Sequence, residues 1–346
     1  MPARQEPVAY LGGQLGKGLA EVSADVSALD GGGRWAVALP YSGPPVLARF
    51  RDWRPAAPAE AASGSWRGPD RWTSSMGRPE YVAAVESVRQ RIAEGGVYQA
   101  NVCRILEAEL PDPEAADIAA LHALLAEGNP APYAGMLRLP DHGVHIACAS
   151  PELFLRRDGR VCESGPIKGT GRTSADLTPK DEAENVMIVD LVRNDLSRVC
   201  EPGTVTVPSL LTLEEHPGLV HLVSTVRGAL RPGTGWQDIV EAAFPPGSVT
   251  GAPKIAALRI IDDLEPAPRE YYCGAFGWVD ADTRTAELAV AIRTFWKRGR
   301  TLRFGTGAGI TWGSNAEAEW AETELKAARL TRVCGGSWSA HETVRG

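Results

Sequence analysis

Two stretches of this 346-residue chain set acidic residues at helical spacing. In 181-DEAENVMIVDLVRNDLSRV-199, Asp181, Glu182 and Glu184 crowd the start of a segment where Met187, Ile188, Leu191 and Val192 recur at helical period. That spacing predicts a helix with one buried stripe. In 315-NAEAEWAETELKAARL-330, Glu319 and Glu322 are three apart and Lys326 follows four later, so all three share one helix face. Such carboxylates either complement a helix dipole and lace a surface with ion pairs, or hold a hard cation. Mg²⁺ takes carboxylate oxygens and keeps several waters.

Other stretches offer backbone and single side chains. In 305-GTGAGI-310, just before the second acidic helix, alternating glycines let the main chain approach a ligand, and the helix start presents free N–H groups to an anion. In 244-FPPGSVTGAPKIAALRIIDDLEP-266, Ser248, Thr250 and Gly251 precede a proline at the first turn of an expected helix. That signature serves capping or a bound anion. Lys168, in 164-SGPIKGTGRT-173, reads alone as a surface side chain leaving a turn. Four single residues complete the set: Glu152 after a Ser-Pro, His221 in an apolar strand, Tyr272, and Arg293 in the strand-like run 290-VAIRTFW-296. A guanidinium buried in such a run calls for an anion.

Composition narrows the class. With 44% hydrophobic and 23% charged residues the chain can build a large core. Its net charge of −7 and lack of basic blocks argue against nucleic acid or an anionic membrane as partner, but leave a small anionic substrate open. The six cysteines form no CxxC pair and no zinc-like cluster with histidine, so they read as reduced thiols of a cytoplasmic protein. Neither a signal peptide nor a membrane span is expected. No GxGxxG stands in a βαβ unit, and no GxxxxGK[ST] occurs.

The elements that must position these residues follow from periodicity and turn signals. Residues 1–75 form a short N-terminal region, with strands at 34–41 and 46–53 and a loop or linker at 54–70. Helices are expected at 79–95, 115–128, 179–197, 235–243, from Ala252, and at 315–330. Strands are expected at 133–139, 144–150, 152–157, 160–164, 203–215, 219–230, 273–280, 286–296 and 300–310, with a hairpin at Asp158-Gly159. Runs of adjacent strands broken by single helices predict an α+β fold with mainly antiparallel sheets. A catalytic domain at 76–332 and a disordered tail at 333–346 complete the reading.

Taken in order, SPELFL, GPIKGT, ENVMIVDLVRNDL, HLVSTVRG, FPPGSVTGAPK, YCGAFGW, AIRT and FGTGAGITWGSNAEAEWAET resemble the chorismate-utilising enzyme family, over about residues 79–332. Its members include anthranilate, aminodeoxychorismate, isochorismate and salicylate synthases. The resemblance implies two opposed antiparallel sheets with helices outside and the active site between them. It implies Mg²⁺ ligands at Glu184 and Glu322, with Glu319 and Asp181 joining through water. It implies a carboxylate clamp at Arg293 and Tyr272 beside Gly307, Ala308 and Gly309, with Thr170, Thr250 and Lys326 also facing substrate. Glu152 would be the general acid for the C4 hydroxyl, with His221 near that oxygen.

Water-using members are similar to one another in carrying a lysine base where this chain has Gln99. Anthranilate synthases carry Ala where Lys168 stands and usually His where Asn185 stands. Lysine in PIKGT resembles aminodeoxychorismate synthases, which implies a neutral Lys168 adding to the ring before ammonia does. The resemblance further implies chorismate and ammonia as substrates and a glutamine amidotransferase subunit as partner, since no Cys nucleophile motif with a paired His is evident in this chain. Anthranilate formation and isochorismate-type chemistry stay open as alternatives. No counterpart of the tryptophan pocket of some relatives is read before residue 75.

Overall fold

The computed structural model describes residues 5–335 apart from 172, 217 and 218, with the backbone alone for Thr170, His216 and Leu219. The tail expected to be disordered lies, from residue 336 on, outside the described residues. Four strands come first: β1 (Val8–Leu11), β2 (Gln14–Ser23), β3 (Arg34–Leu39) and β4 (Val46–Pro55). Then follow β5 (Thr73–Ser74), α1 (Arg78–Ala93), β6 (Gln99–Glu109), α2 (Ile118–Gly128), β7 (Tyr133–Leu139), β8 (Val144–Ser150), β9 (Leu153–Asp158), β10 (Val161–Gly165), β11 (Ile167–Gly171) and α3 (Pro179–Ser197). The chain ends with β12 (Thr206–His216), β13 (Leu219–Ala229), α4 (Trp236–Ala243), β14 (Gly251–Ala252), α5 (Lys254–Leu264), β15 (Ala275–Asp280), β16 (Thr285–Val290), β17 (Thr294–Arg298), β18 (Thr301–Ile310) and α6 (Ala316–Val333).

The fold is α+β, and every pairing between these strands is antiparallel. Neighbours run β6–β18–β17–β8–β7–β1–β2–β4–β3–β15–β16–β9–β10–β13–β12. The two opposed sheets are therefore wings of one eighteen-stranded sheet, joined through β1, β2 and β4. The wings pack face to face: a Cβ added at Gly135 of β7 would stand 3.1 Å from the Phe276 ring of β15. One apolar cluster takes Ile105, Leu137 and Cys148 from one wing and Phe154, Phe276 and Leu288 from the other. Helices α2 and α6 cover the outer face of the first wing and α1 lies beside them, while α3 and α4 cover the second.

The first 75 residues are woven into this sheet, β1 against β7 and β3 against β15. Segment 54–70 is pinned by the Asp117 carboxylate, which accepts the N–H groups of Ser63 (2.8 Å) and Gly64 (2.9 Å). The edges of the sheet are irregular. Strand β12 carries two register shifts and a positive φ at Leu211, and its last turns hold Glu214 and Glu215. At the other edge β6 is flanked by the two-residue strands β5 and β14.

Three local expectations change. The strand expected at 286–296 breaks into β16 and β17, with Arg293 at φ +53° in the gap. Tertiary hydrogen bonds cause the break: Cys273 N–H donates to Ala291 O (3.0 Å), and Ala291 N–H donates to Gly274 O (2.8 Å). The helix expected from Ala252 begins at Lys254, and Thr250 does not cap it, because its hydroxyl donates back to Pro246 O at 3.0 Å. The buried stripe of α3 is Ile188, Val189, Val192 and Leu196, with Met187 and Leu191 only partly covered. All six cysteines are buried and unbridged. Among the described residues no helix is long and apolar enough to cross a membrane.

The glycine row of β18 serves packing inside the protein. Side chains added there would strike the Tyr272 ring at Gly305, the Cys103 sulfur at Gly307 and the Gln99 amide at Gly309. Gly305→Ala should therefore dislodge Tyr272 and cost about 1–3 kcal/mol, read as a fall in melting temperature. His122 is a second sensitive point. Its ring is buried beside Tyr10, both nitrogens lack partners among the described residues, and burial pushes its pKa down to about 4. A depressed histidine stabilises the fold fully above its unfolded value near 6.5 and loses that contribution as pH falls towards 4. Urea titrations across that window should show wild type losing about 2–3 kcal/mol more than His122→Leu.

Candidate active site

Strand β11 places Lys168. Gly169 takes φ +76°, and a Cβ there would stand 2.9 Å from Asp181 Cβ, so only glycine lets β11 lie this close to the first turn of α3. The register against β13 slips at the same point, pairing Lys168 with Leu222 and Thr170 with His221. Half-buried Lys168 donates from Nζ to Ser248 O at 3.1 Å. The side chain of Thr170 lies outside what is described.

Glu152 is 4% exposed, between β8 and β9. Burial pushes its carboxyl above the usual carboxylate range. The Ser248 side chain, Lys168, the Ile167 N–H and Lys326 pull the other way. The hydrogen bonds that break the strand set Arg293 in the gap between β16 and β17. Its guanidinium has no hydrogen-bond or ion-pair partner among the described residues. Burial lowers its pKa, Arg329 adds to that, and Glu152 opposes it. His221 is 2% exposed on β13 and has partners of its own.

The acidic helices meet around Lys180. Its Nζ stands 3.1 Å from Glu319 Oε1 and 3.6 Å from Glu184 Oε1. Burial raises the Glu184 carboxyl most, against Lys168 and Lys180, while Glu319 and Asp181 add to the rise. Glu184 Oε1 is buried without a hydrogen-bond partner among the described residues. Glu322, half-exposed, pairs with Lys326 at 2.6 Å, and Lys326 also donates to Gly307 O at 3.0 Å. Burial raises the Glu322 carboxyl, but Lys326, then Lys180 and Lys168, bring it below its ordinary value. Asp181 commits one carboxylate oxygen, Oδ2, to the start of α3. Its carboxylate caps α3, accepting Thr178 N–H (2.8 Å) and Oγ1–H (2.7 Å).

Glu152, Glu184, Glu322, Lys168, Lys180, Lys326 and Arg293 thus form one electrostatic network, joined to β18 where Lys326 donates to Gly307 O, while Tyr272 lies against Gly305 among Cys273, Cys103 and Arg269. Thr250 lies at the border of the network, with its side chain turned to Pro246. Asn185 is drawn away, its amide joined to Leu222 O and Ser224 on β13. Among the described residues no three His, Cys, Asp or Glu side chains gather as a metal cage. A hard cation that keeps most of its waters needs no such cage, and the unpartnered Glu184 oxygen beside Glu319 suits one. Sequence reasoning missed Lys180, although its place four residues before Glu184 on a helix was the available signal. It also passed over Ser248 as an anchor for Lys168. Gln99, expected to fill the place of a base, is fully buried, with both amide ends unpartnered among the described residues.

The arrangement sets three lysines and an arginine among enclosed carboxylates. The sequence pattern described as "chorismate binding enzyme" matches residues 45–332. Anthranilate synthase component 1 of Streptomyces coelicolor is 38% identical over 80% of this chain and 55% of its own. Aminodeoxychorismate synthase component 1 of Salmonella typhimurium is 37% identical over 75% of this chain and 58% of its own. The chain thus aligns with little more than half the length of these curated relatives. Among solved structures, anthranilate synthase component I of Streptococcus pneumoniae superposes with a TM-score of 0.77 at 23% identity, covering 96% of this chain and 93% of that one. The menaquinone-specific isochorismate synthase MenF of Escherichia coli superposes at 0.78 and 19%, covering 96% and 89%. With the fold, the network and the matched pattern in agreement, the chain belongs to the chorismate-binding enzyme family.

Proposed function

We propose that this chain aminates chorismate at C4 to give 4-amino-4-deoxychorismate, with Mg²⁺ bound and ammonia delivered by a glutamine amidotransferase subunit, on the route to 4-aminobenzoate and folate. The observation that carries this reading is the position of Lys168, whose charge bears at once on Glu152, Glu184 and Glu322. Glu184, Glu322 and Glu319 would hold the Mg²⁺, which when bound would neutralise and orient the ring carboxylate of the substrate. Arg293 and Tyr272 would clamp the enolpyruvyl carboxylate. The relatives named "component 1" favour a separate partner subunit. Six unbridged cysteines suit a reducing, cytoplasmic setting.

In the chemistry proposed, the neutral Lys168 amine forms a bond to C2. The ring double bonds shift, the C4–O bond breaks, and Glu152 gives the proton that lets the hydroxyl leave as water. Ammonia then bonds to C4, the double bonds shift back, and the C2–N bond breaks to release the lysine. The net change is chorismate and ammonia to aminodeoxychorismate and water. The Ser248 carbonyl that receives Nζ cannot accept a proton, so Lys168 must pass its proton to a neighbouring carboxylate or to solvent before it attacks. Gln99 cannot deprotonate water, which disfavours hydroxylation at C2. A second reading, direct attack of ammonia at C2 to make anthranilate, is favoured by the Streptomyces relative at 38% identity.

Two variants test these roles. With chorismate, Mg²⁺ and ammonium salt, wild type should yield the 4-amino product by chromatography. Lys168→Ala should lose it or divert to the 2-amino isomer while still binding chorismate; a variant that makes the 4-amino product at the wild-type rate removes the covalent step. Glu152→Gln should slow the reaction by about 10²- to 10⁴-fold. A raised carboxyl stabilises the fold below its unfolded value and ceases to as pH climbs through the folded one. Calorimetry should therefore find Glu152→Gln at least as stable as wild type at pH 7.

A further inference from the structure

Lys180 is unusual among the cations of the site, because it stands between two carboxylates on different helices. Its Nζ is 3.1 Å from Glu319 Oε1 on α6 and 3.6 Å from Glu184 Oε1 on α3, with Ser314 Oγ at 3.5 Å. The acids are enclosed, their side chains 4% and 13% exposed, whereas the lysine side chain is 42% exposed. The acids are therefore held in place and the lysine is the member with room to leave. At 3.6 Å the contact with Glu184 is an ion pair too long for a hydrogen bond, so that oxygen still lacks a close partner. Lys180 also lies in the first turn of α3, within the Thr178–Asp181 capping pair that fixes the helix end. Its backbone is fixed and its four-carbon stem is not.

We infer that Lys180 is the built-in counter-ion of Glu184 and Glu319 and sets how tightly this pair takes a divalent cation. The inference rests on the reading that these carboxylates hold Mg²⁺. An ammonium and a divalent ion would compete for the same carboxylates, so a bound ion would push the lysine towards solvent. Two effects follow. Lys180 weakens metal binding through direct competition and like-charge repulsion. It also relieves the repulsion between two enclosed carboxylates whenever no metal lies between them.

Calorimetric titration with Mg²⁺, in parallel with melting curves with and without the metal, tests both effects on the full chain. Removing the charge in Lys180→Met should tighten Mg²⁺ binding roughly tenfold or more. The same substitution should lower the melting temperature in chelator and raise it relative to wild type in excess Mg²⁺. Opposite signs in the two conditions are the signature, since a lysine needed only for packing would lower both. Lys180→Gln should behave as the Met variant does and guards against a folding defect, and Lys180→Arg, which keeps the charge, should stay near wild type. Equal affinity in wild type and both neutral variants overturns the counter-ion role and leaves the metal reading intact. Lack of any Mg²⁺ binding in wild type and variants alike overturns both.

Discussion

A carboxylate kept from water needs a cation beside it, and the site is organised around that requirement. Glu152, Glu184 and Glu319 are largely enclosed, and each acts on, or is acted on by, a lysine from another element. Lys168 comes from β11, Lys180 from α3 and Lys326 from α6. If any of these elements moved, an acid would be left uncompensated in a low-dielectric seam. The rest of the architecture serves to keep them in place. The α3 cap holds Lys180, the Gly169 kink brings Lys168 under α3, and the main chain of β18 anchors Lys326 through Gly307.

The same arrangement explains why the site needs both wings of the sheet. Glu152, Lys168 and His221 come from the wing that ends in β13 and β12, with Arg293 at the strand break that joins it to β17. Gln99 and Gly307–Gly309 come from the wing built on β6 and β18. Charge from one wing, on Glu152 and Lys168, acts on Lys326 and Glu322 of α6, the helix that covers the other. A continuous hydrogen-bonded path through β1, β2 and β4 joins the wings, so their separation is fixed by strands as well as by side-chain packing.

Much of this was legible in the sequence. Helical periodicity located α1, α2, α3, α4 and α6 within a few residues, and the Asp158-Gly159 turn marked the β9–β10 hairpin. Ordered motifs marked which carboxylates, which lysine and which arginine belong together. The largest misreading comes from tertiary hydrogen bonds that no local pattern announces. The run 286–296 looks like one strand, yet contacts with residues 273 and 274 split it and turn Arg293 into the left-handed region. Thr250 looks like a cap, yet its hydroxyl turns back to Pro246. The glycines of β18 also make room for Tyr272, Cys103 and Gln99, which their spacing did not announce. Asp181, read as reaching a metal through water, also caps its helix through one oxygen, as acids in a first turn ordinarily do.

An eighteen-stranded antiparallel sheet would ordinarily carry two long edges able to recruit strands from other molecules. Here β12 is bulged twice, bent at Leu211 and closed with two glutamates, while β6 is shielded by β5 and β14. The irregularities that make these strands look imperfect interrupt the run of backbone amides at both ends, among the described residues. Edge-to-edge pairing of backbones is thereby made harder, although Leu210 and Leu213 of β12 stay exposed.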